Sequence, residues 1–321
     1  MSNELSRLPI VTDDVLTQQA SPLRYNCWLL ENNFAYLPSL PVEEAETLYT
    51  RLDTAERALI APNRQTDEYK LGTASYEDEL LVKEADRQLL LTSEHAATRI
   101  RRDQKGTRGV KADYGTGALG SVLQEDTHAS FMMPLGRQTG DANSDVEHKL
   151  KRAMLPFLQA PDNQGHFSLH GMDPARIGDL SDERGYSIML GVGDHPSSQT
   201  LNLVEAIMQR AKEYKLRVGV NQPVLRFEAN SDETLKKPDG TPRTITFAAK
   251  SAGTTRTFAQ NTSEALGKPL ATVQFEIGAA LRLLPEDHPN YPGRDAQRIG
   301  TYAGYLFMRD CAELITGVTA H

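Results

Sequence analysis

Hydrophobic and polar positions fall into two regimes along this chain. From Gln88 onward short apolar runs alternate with longer segments of helical spacing. The runs "QLLLTS", "SFMMPL", "HFSLHGM", "YSIMLGVG", "LRVGVNQP" and "ATVQFEIGAALR" read as strands. Between them "YGTGALGSVLQED", "VEHKLKRAMLPFLQA" and "SSQTLNLVEAIMQRAKEYK" read as helices, and "GRDAQRIGTYAGYLFMRDCAELITGV" closes the chain as another. The third of these begins on Ser/Thr cap candidates and ends among Lys and Arg, as the helix dipole favours. Alternation of this kind predicts an α/β fold, a mostly parallel mixed sheet with helices on both faces. "ANSDETLKKPDGTPR" is polar and carries Pro-Asp-Gly, so it reads as a surface turn or hairpin.

Residues 1–85 differ. "SPLRYNCWLLENNFAYLPSL" mixes apolar residues with Pro and Asn, and "VEEAETLYTRLDTAERALI" follows at helical spacing. The expected organisation is a mainly helical N-terminal extension, 1–85, packed on an α/β domain, 86–321. A separate interaction module is the other reading of the extension.

Composition narrows the function. The length of 321 residues is enough for a sizeable core, and 43 acidic against 35 basic residues give a net charge of −8. That field disfavours nucleic acid and anionic membrane as partners. No run approaches the ~20 apolar residues of a membrane span. No secretory signal is visible at the start, and the two cysteines lie far apart, so a reducing cytoplasm is the expected location. Oligomeric state is not legible. Any metal would be held by histidine and carboxylate.

Candidate chemistry sits where apolar runs stop. "LLLTSEHAATR" places Glu94 and His95 at the end of a strand, and "HFSLHGMD" does the same for His170. In open α/β sheets ligands gather at the carboxyl ends of strands. Two imidazoles, a carboxylate and a water form a common hydrolytic zinc site. Glu276 lies in the otherwise apolar "VQFEIG", where alternation puts Gln274 and Glu276 on one face and Val273, Phe275 and Ile277 on the other. An acid there is costly unless paired or used, so it is either a general base or the wet face of an edge strand. "LGRQTGDAN" adds Arg137, Asp141 and Asn143, which could line a pocket, Arg137 by gripping a carboxylate with its planar fork. No Gly-x-Ser-x-Gly phrase supports a serine hydrolase.

The ordered phrases "TSEHAATR", "ADYGTGAL", "GRQTGDAN", "FSLHGM", "IMLGVG", "VGVNQP", "GTTRTFAQN" and "VQFEIG" resemble the N-formylglutamate amidohydrolase family, relatives of zinc carboxypeptidases and aspartoacylases. The resemblance runs from about Leu89 to Ile277. It implies a divalent metal, zinc or similar, held by His95, His170 and Asp113, with Glu94 as the reserve carboxylate. It implies Glu276 as general base, Arg137 helping to stabilise the oxyanion, and Arg137, Asn143, Arg256 and Gln274 around the substrate. The activity implied is hydrolysis of the amide of a small N-acylated amine or amino acid; the alternative is a member that binds a ligand or partner without catalysis. Two positions depart from the family. Ser144 stands where relatives carry an arginine that grips the substrate carboxylate, and Ser168 where they often carry aspartate.

Overall fold

A computed structural model describes residues 42–64, 79–85, 88–96, 99–103, 106–110, 112–135, 138, 140–172, 187–214, 216, 218–220, 253–286, 291 and 293–316. The turn expected at "ANSDETLKKPDGTPR" and Arg137 lie outside them. Helix α1 (Val42–Arg64) comes first, then strand β1 (Glu79–Lys83) and strand β2 (Leu89–Thr92). A two-stranded ribbon follows, β3 (Arg99–Asp103) with β4 (Gly106–Val110). Next are α2 (Thr116–Thr127), β5 (Ser130–Leu135), α3 (Lys149–Gln159) and β6 (Gly165–Met172). The chain continues through β7 (Ile188–Gly191), α4 (Ser198–Glu213) and β8 (Val218–Val220). It ends on α5 (Thr255–Ala265), β9 (Ala271–Gly278) and α6 (Arg294–Thr316).

The main sheet has seven strands in the order β1-β5-β2-β6-β9-β7-β8. β5, β2, β6 and β9 run parallel, β7 and β8 parallel to each other but against β9, and β1 antiparallel to β5. The sheet is thus mixed and mostly parallel, with helices on both faces.

The six strands read from apolar runs are all in this sheet. Four elements escaped that reading for local reasons. β3 and β4 are rich in arginine and glycine rather than apolar residues. α5, "TRTFAQNTSEA", is largely polar and starts on a threonine cap, the Thr254 side chain accepting from Thr257 N. β1 is a short edge strand inside the segment read as helical.

α1 and β1 share the core of the rest. Leu48 and Leu52 of α1 join the cluster built on Leu89, Leu91, Phe167, Phe275 and Phe307. Arg51 meets Asp126 of α2 with a fork of two bonds, 3.0 and 2.8 Å. Burial of the apolar stripe carries most of this attachment, and the half-exposed ion pair orients it.

Strand period divides the sheet into two buried faces. On one lie Leu89, Leu91, Phe167, Leu169, Val273, Phe275 and Ile277, inside the larger apolar cluster with α1, α2, α4 and α6. The opposite face of β6 and β9 carries His166, Ser168, His170, Thr272, Gln274 and Glu276, all at most 5% exposed. Helices α3 and α5 supply the smaller apolar cluster on that side, with Leu150, Met154, Phe157 and Ala259 packed around Leu90 and Met132.

Among the described residues no helix is long and apolar enough to cross a membrane.

Candidate metal and catalytic centre

The centre forms at the carboxyl ends of β2 and β6. β2 ends at Thr92, and the chain turns through Ser93 and Glu94 to His95. Asp113 N donates to His95 O at 2.7 Å, which returns the chain to the same point after the ribbon. Gly115 then turns with φ 79° against Leu283, where an added Cβ would lie 2.4 Å from the Leu283 carbonyl oxygen, so only glycine fits. Glu56 of α1 accepts from Gly115 N at 3.3 Å, tying the N-terminal helix to this turn.

Three ligand-type atoms converge there. His170 Nδ1 and His95 Nδ1 are 3.0 Å apart, and Asp113 Oδ2 is 3.4 Å from the latter and 3.5 Å from the former. Asp113 is also oriented by Gly171 N, which donates to Oδ2 at 3.0 Å. His95, Asp113 and His170 form a group able to hold a metal ion. A tetrahedral ion with ligands at about 2.0–2.1 Å keeps them roughly 3.3 Å from one another, so the spacing fits.

The outer nitrogens of both rings face carboxylates. His170 Nε2 lies 3.2 Å from Glu94 Oε2, and His95 Nε2 lies 2.9 Å from Asp141 Oδ1. A ring that gives its Nε2–H to a carboxylate presents a lone pair at Nδ1. Two such lone pairs at 3.0 Å, with a carboxylate oxygen beside them, repel unless a cation or a proton sits among them. His170 takes up a proton readily: burial disfavours its charge, but Glu94 and Asp113 outweigh that and hold its pKa well above the ordinary value.

Glu94 points into the sheet, away from this convergence. It is fully buried, and burial alone would raise its pKa, yet the charge of His170 beside it and the Thr92 hydroxyl bring it down to about 2. Thr92 Oγ1 donates to Glu94 Oε1 at 2.6 Å, and Ser168 Oγ lies 3.0 Å from both carboxylate oxygens. The single hydroxyl proton of Thr92 goes to Glu94, so His166 Nε2, 2.8 Å from the same oxygen, is the donor there. His166 is neutral, its pKa pushed down to about 4 chiefly by burial. No local pattern marks this chain from His166 through Thr92 and Glu94 to His170, because it depends on β2 lying beside β6.

Glu276 faces His170 in the register of the parallel pair β6 and β9. It is 5% exposed on an interior strand, so the edge-strand reading does not apply. Burial raises its pKa to about 7, with Asp113 adding to the rise and His170 opposing it. Gln274 Nε2 donates to Glu276 Oε1 at 2.8 Å and orients the carboxyl.

Other expected site residues are engaged with the protein itself. Asn143 Oδ1 accepts from Thr255 N at 2.9 Å, and Asp141 Oδ1 from Asn143 N at 3.1 Å. Buried Lys151 donates to Asn143 O at 3.1 Å, to Asp145 O at 2.7 Å and to Gly253 O, pinning that loop to the start of α5. Arg256 is 2% exposed and donates to Val192 O at 2.5 Å, with Thr272 Oγ1 at 3.4 Å. Arg282, a residue the sequence pattern did not single out, donates to Ile277 O at 3.2 Å and Tyr114 O at 2.5 Å, bracing the turn beside Asp113.

No family model matches the sequence, and no curated protein matches it. Solved structures with similarity to the chain include a bacteriophage poly-γ-glutamate hydrolase, at TM-score 0.43 and 14% identity over 76% of this chain and 90% of that one. A metallo-carboxypeptidase from Pseudomonas aeruginosa overlaps at TM-score 0.34 and 11% identity, over 74% of this chain and 61% of that one. A tripeptide-bound cell-shape determinant from Helicobacter pylori overlaps at TM-score 0.36 and 10% identity, over 75% and 56%.

Proposed function

We propose that this chain is a metal-dependent amide hydrolase, with a divalent ion, zinc or similar, held by His95, Asp113 and His170. One observation carries the reading: two imidazole Nδ1 atoms and a carboxylate oxygen converge at 3.0–3.5 Å while each ring is backed by a carboxylate at its other nitrogen. Metal-ligating histidines are oriented in this way by carboxylates behind them. When bound, the ion supplies a water of lowered pKa and polarises the carbonyl under attack.

The chain's own residues do the rest. Glu276, held by Gln274 and with a pKa of about 7, is matched to taking a proton from water and returning it to a leaving amine at neutral pH. Glu94 keeps His170 in the Nε2–H form, and Asp141 does so for His95. Both fix the rings against rotation. A carboxyl poised to exchange protons at neutral pH supports catalysis over ligand binding alone. The resemblance in sequence supports an N-acylated amine or amino acid, as in N-formylglutamate amidohydrolases, as the substrate class.

The test is elemental analysis of the purified full-length chain. About one divalent ion per chain is expected, and His95→Ala/His170→Ala should remove it while the circular dichroism spectrum stays that of an α/β fold. Unchanged metal content in the double variant would sink the assignment.

A further inference from the structure

Arg282 follows β9 by one 3-10 turn, Ala279–Leu281, and is 5% exposed. Its side chain meets the residue that follows each of three groups in the centre. Nε donates to Ile277 O at 3.2 Å, next to Glu276, and Nη1 donates to Tyr114 O at 2.5 Å, next to Asp113. The guanidinium also lies against Gly171, next to His170, where an added Cβ would stand 2.7 Å from Cζ. Gly171 N in turn donates to Asp113 Oδ2 at 3.0 Å. From the other side α6 holds the backbone of Arg282, the buried Gln297 Nε2 donating to Arg282 O and, at 3.0 Å, to Thr301 Oγ1.

From this convergence we infer that Arg282 is a positioning residue for the metal centre, setting Asp113 against His170 and Glu276 by bonding or packing on the backbone beside each. The inference rests on the metal reading of that site and goes beyond it in naming what holds the ligand turn to the two strands. The sheet alone does not do so. His170 and Glu276 are fixed to each other by the register of β6 and β9, whereas Asp113 arrives on the turn before α2. The Asp113 N to His95 O bond ties that turn to the end of β2, and Arg282 ties it to β6 and β9. A metal tolerates ligand displacements of only ~0.2 Å, so a turn held at one point is not enough. Charge is not what Arg282 contributes, because a cation beside a metal site opposes the binding of a second cation. Its contribution is the planar fork, whose Nε and Nη1 donors reach two carbonyls at once. Lysine carries the charge without the fork.

The experiment loads chelator-stripped full-length protein with Co2+ and follows its affinity and its visible absorption spectrum, which reports coordination geometry. Arg282→Lys and Arg282→Met should each weaken Co2+ binding about 10–100-fold, the range for groups that orient ligands, and should shift the spectrum. The control Phe307→Leu, in the larger apolar cluster, costs stability without touching these bonds. It should change the affinity less than twofold and leave the spectrum unmoved. The lysine variant, the milder of the two, keeps the test open if the methionine variant fails to fold. Wild-type affinity and spectrum in Arg282→Lys would overturn the inference, as would tighter binding in Arg282→Met, the sign of a purely electrostatic role. An equal loss in Phe307→Leu would overturn it in favour of general loosening of the fold. No uptake of Co2+ by the wild type would overturn both the inference and the metal reading. The readout does not need turnover. A protein that hydrolyses no amide, yet binds Co2+ in a way that depends on Arg282, would refute the hydrolase reading and leave the role of Arg282 standing.

Discussion

The two faces of β6 and β9 are equally buried and chemically opposite. Phe167, Leu169, Val273, Phe275 and Ile277 fill one face at 0% exposure, whereas His166, Ser168, His170, Thr272, Gln274 and Glu276 fill the other at no more than 5%. Burial therefore does not distinguish core from site in this sheet. What distinguishes them is the polar atoms that one face carries and the other lacks. The apolar face needs only packing, while the polar face is held by named bonds from Thr92 to Glu94, Ser168 to Glu94 and Gln274 to Glu276. An unmade bond on that face costs the full desolvation of the group left behind. The apolar face should thus answer substitution with lost stability, and the polar face with lost chemistry.

The sharpest break of that comparison is a pair of neighbours on β9. Glu276→Gln is expected to lose at least ~10²-fold in turnover with metal content retained, as removal of acid–base help implies. Phe275→Ala, one residue away and facing the other side, is expected to cost ~3–5 kcal/mol in unfolding free energy. Metal stoichiometry, turnover and denaturant midpoints measured on both would decide it. Similar turnover losses in the two variants, at similar stability, would erase the distinction.

A smaller effect is expected at Glu94. Glu94→Gln keeps the shape but removes the charge behind His170, and metal affinity should fall ~10–100-fold, the usual range for such supporting groups. Competition with a chelator measures this directly. An unchanged affinity would mean that the charge of Glu94 does not support the ring.

The smallest effect is in pH. In the metal-free protein the pKa of Glu276 is raised by burial to about 7 from its ordinary 4.5, so the folded state keeps a proton that the unfolded state releases first. Its contribution to stability is full below the lower value and is lost as pH rises through the upper one. Wild-type protein stripped of metal should therefore lose stability relative to Glu276→Gln between pH ~4.5 and ~7. Parallel stability curves for the two would show that Glu276 ionises normally.

The six strands of apolar runs stood out because a strand buried on at least one face must repeat apolar residues at period two or in short blocks. Gln274 and Glu276 stood out as polar residues breaking such a run. His95, Asp113 and His170 were marked by strand ends and by the family-like phrases, and the fold brings these three together. The ribbon β3–β4 was missed because its arginines and glycines carry no apolar period, and α5 because its cap and polar face resemble a loop.

The sequence alone determined the alternation of elements, the two-faced pattern of its central strands and the residue types available to bind a metal. Those follow from local spacing, which sets where each side chain points along its own strand. Tertiary structure decided which groups meet. Asp113 reaches His95 and His170 only because the ribbon returns the chain to the end of β2, and Glu94 backs His170 only because β2 pairs with β6. Asn143, one of the expected pocket residues, was turned to Thr255 N by the packing of its loop on α5. Side-chain hydrogen bonds act over about 3 Å, whereas the partners stand tens of residues apart, and only the sheet's strand order closes that distance.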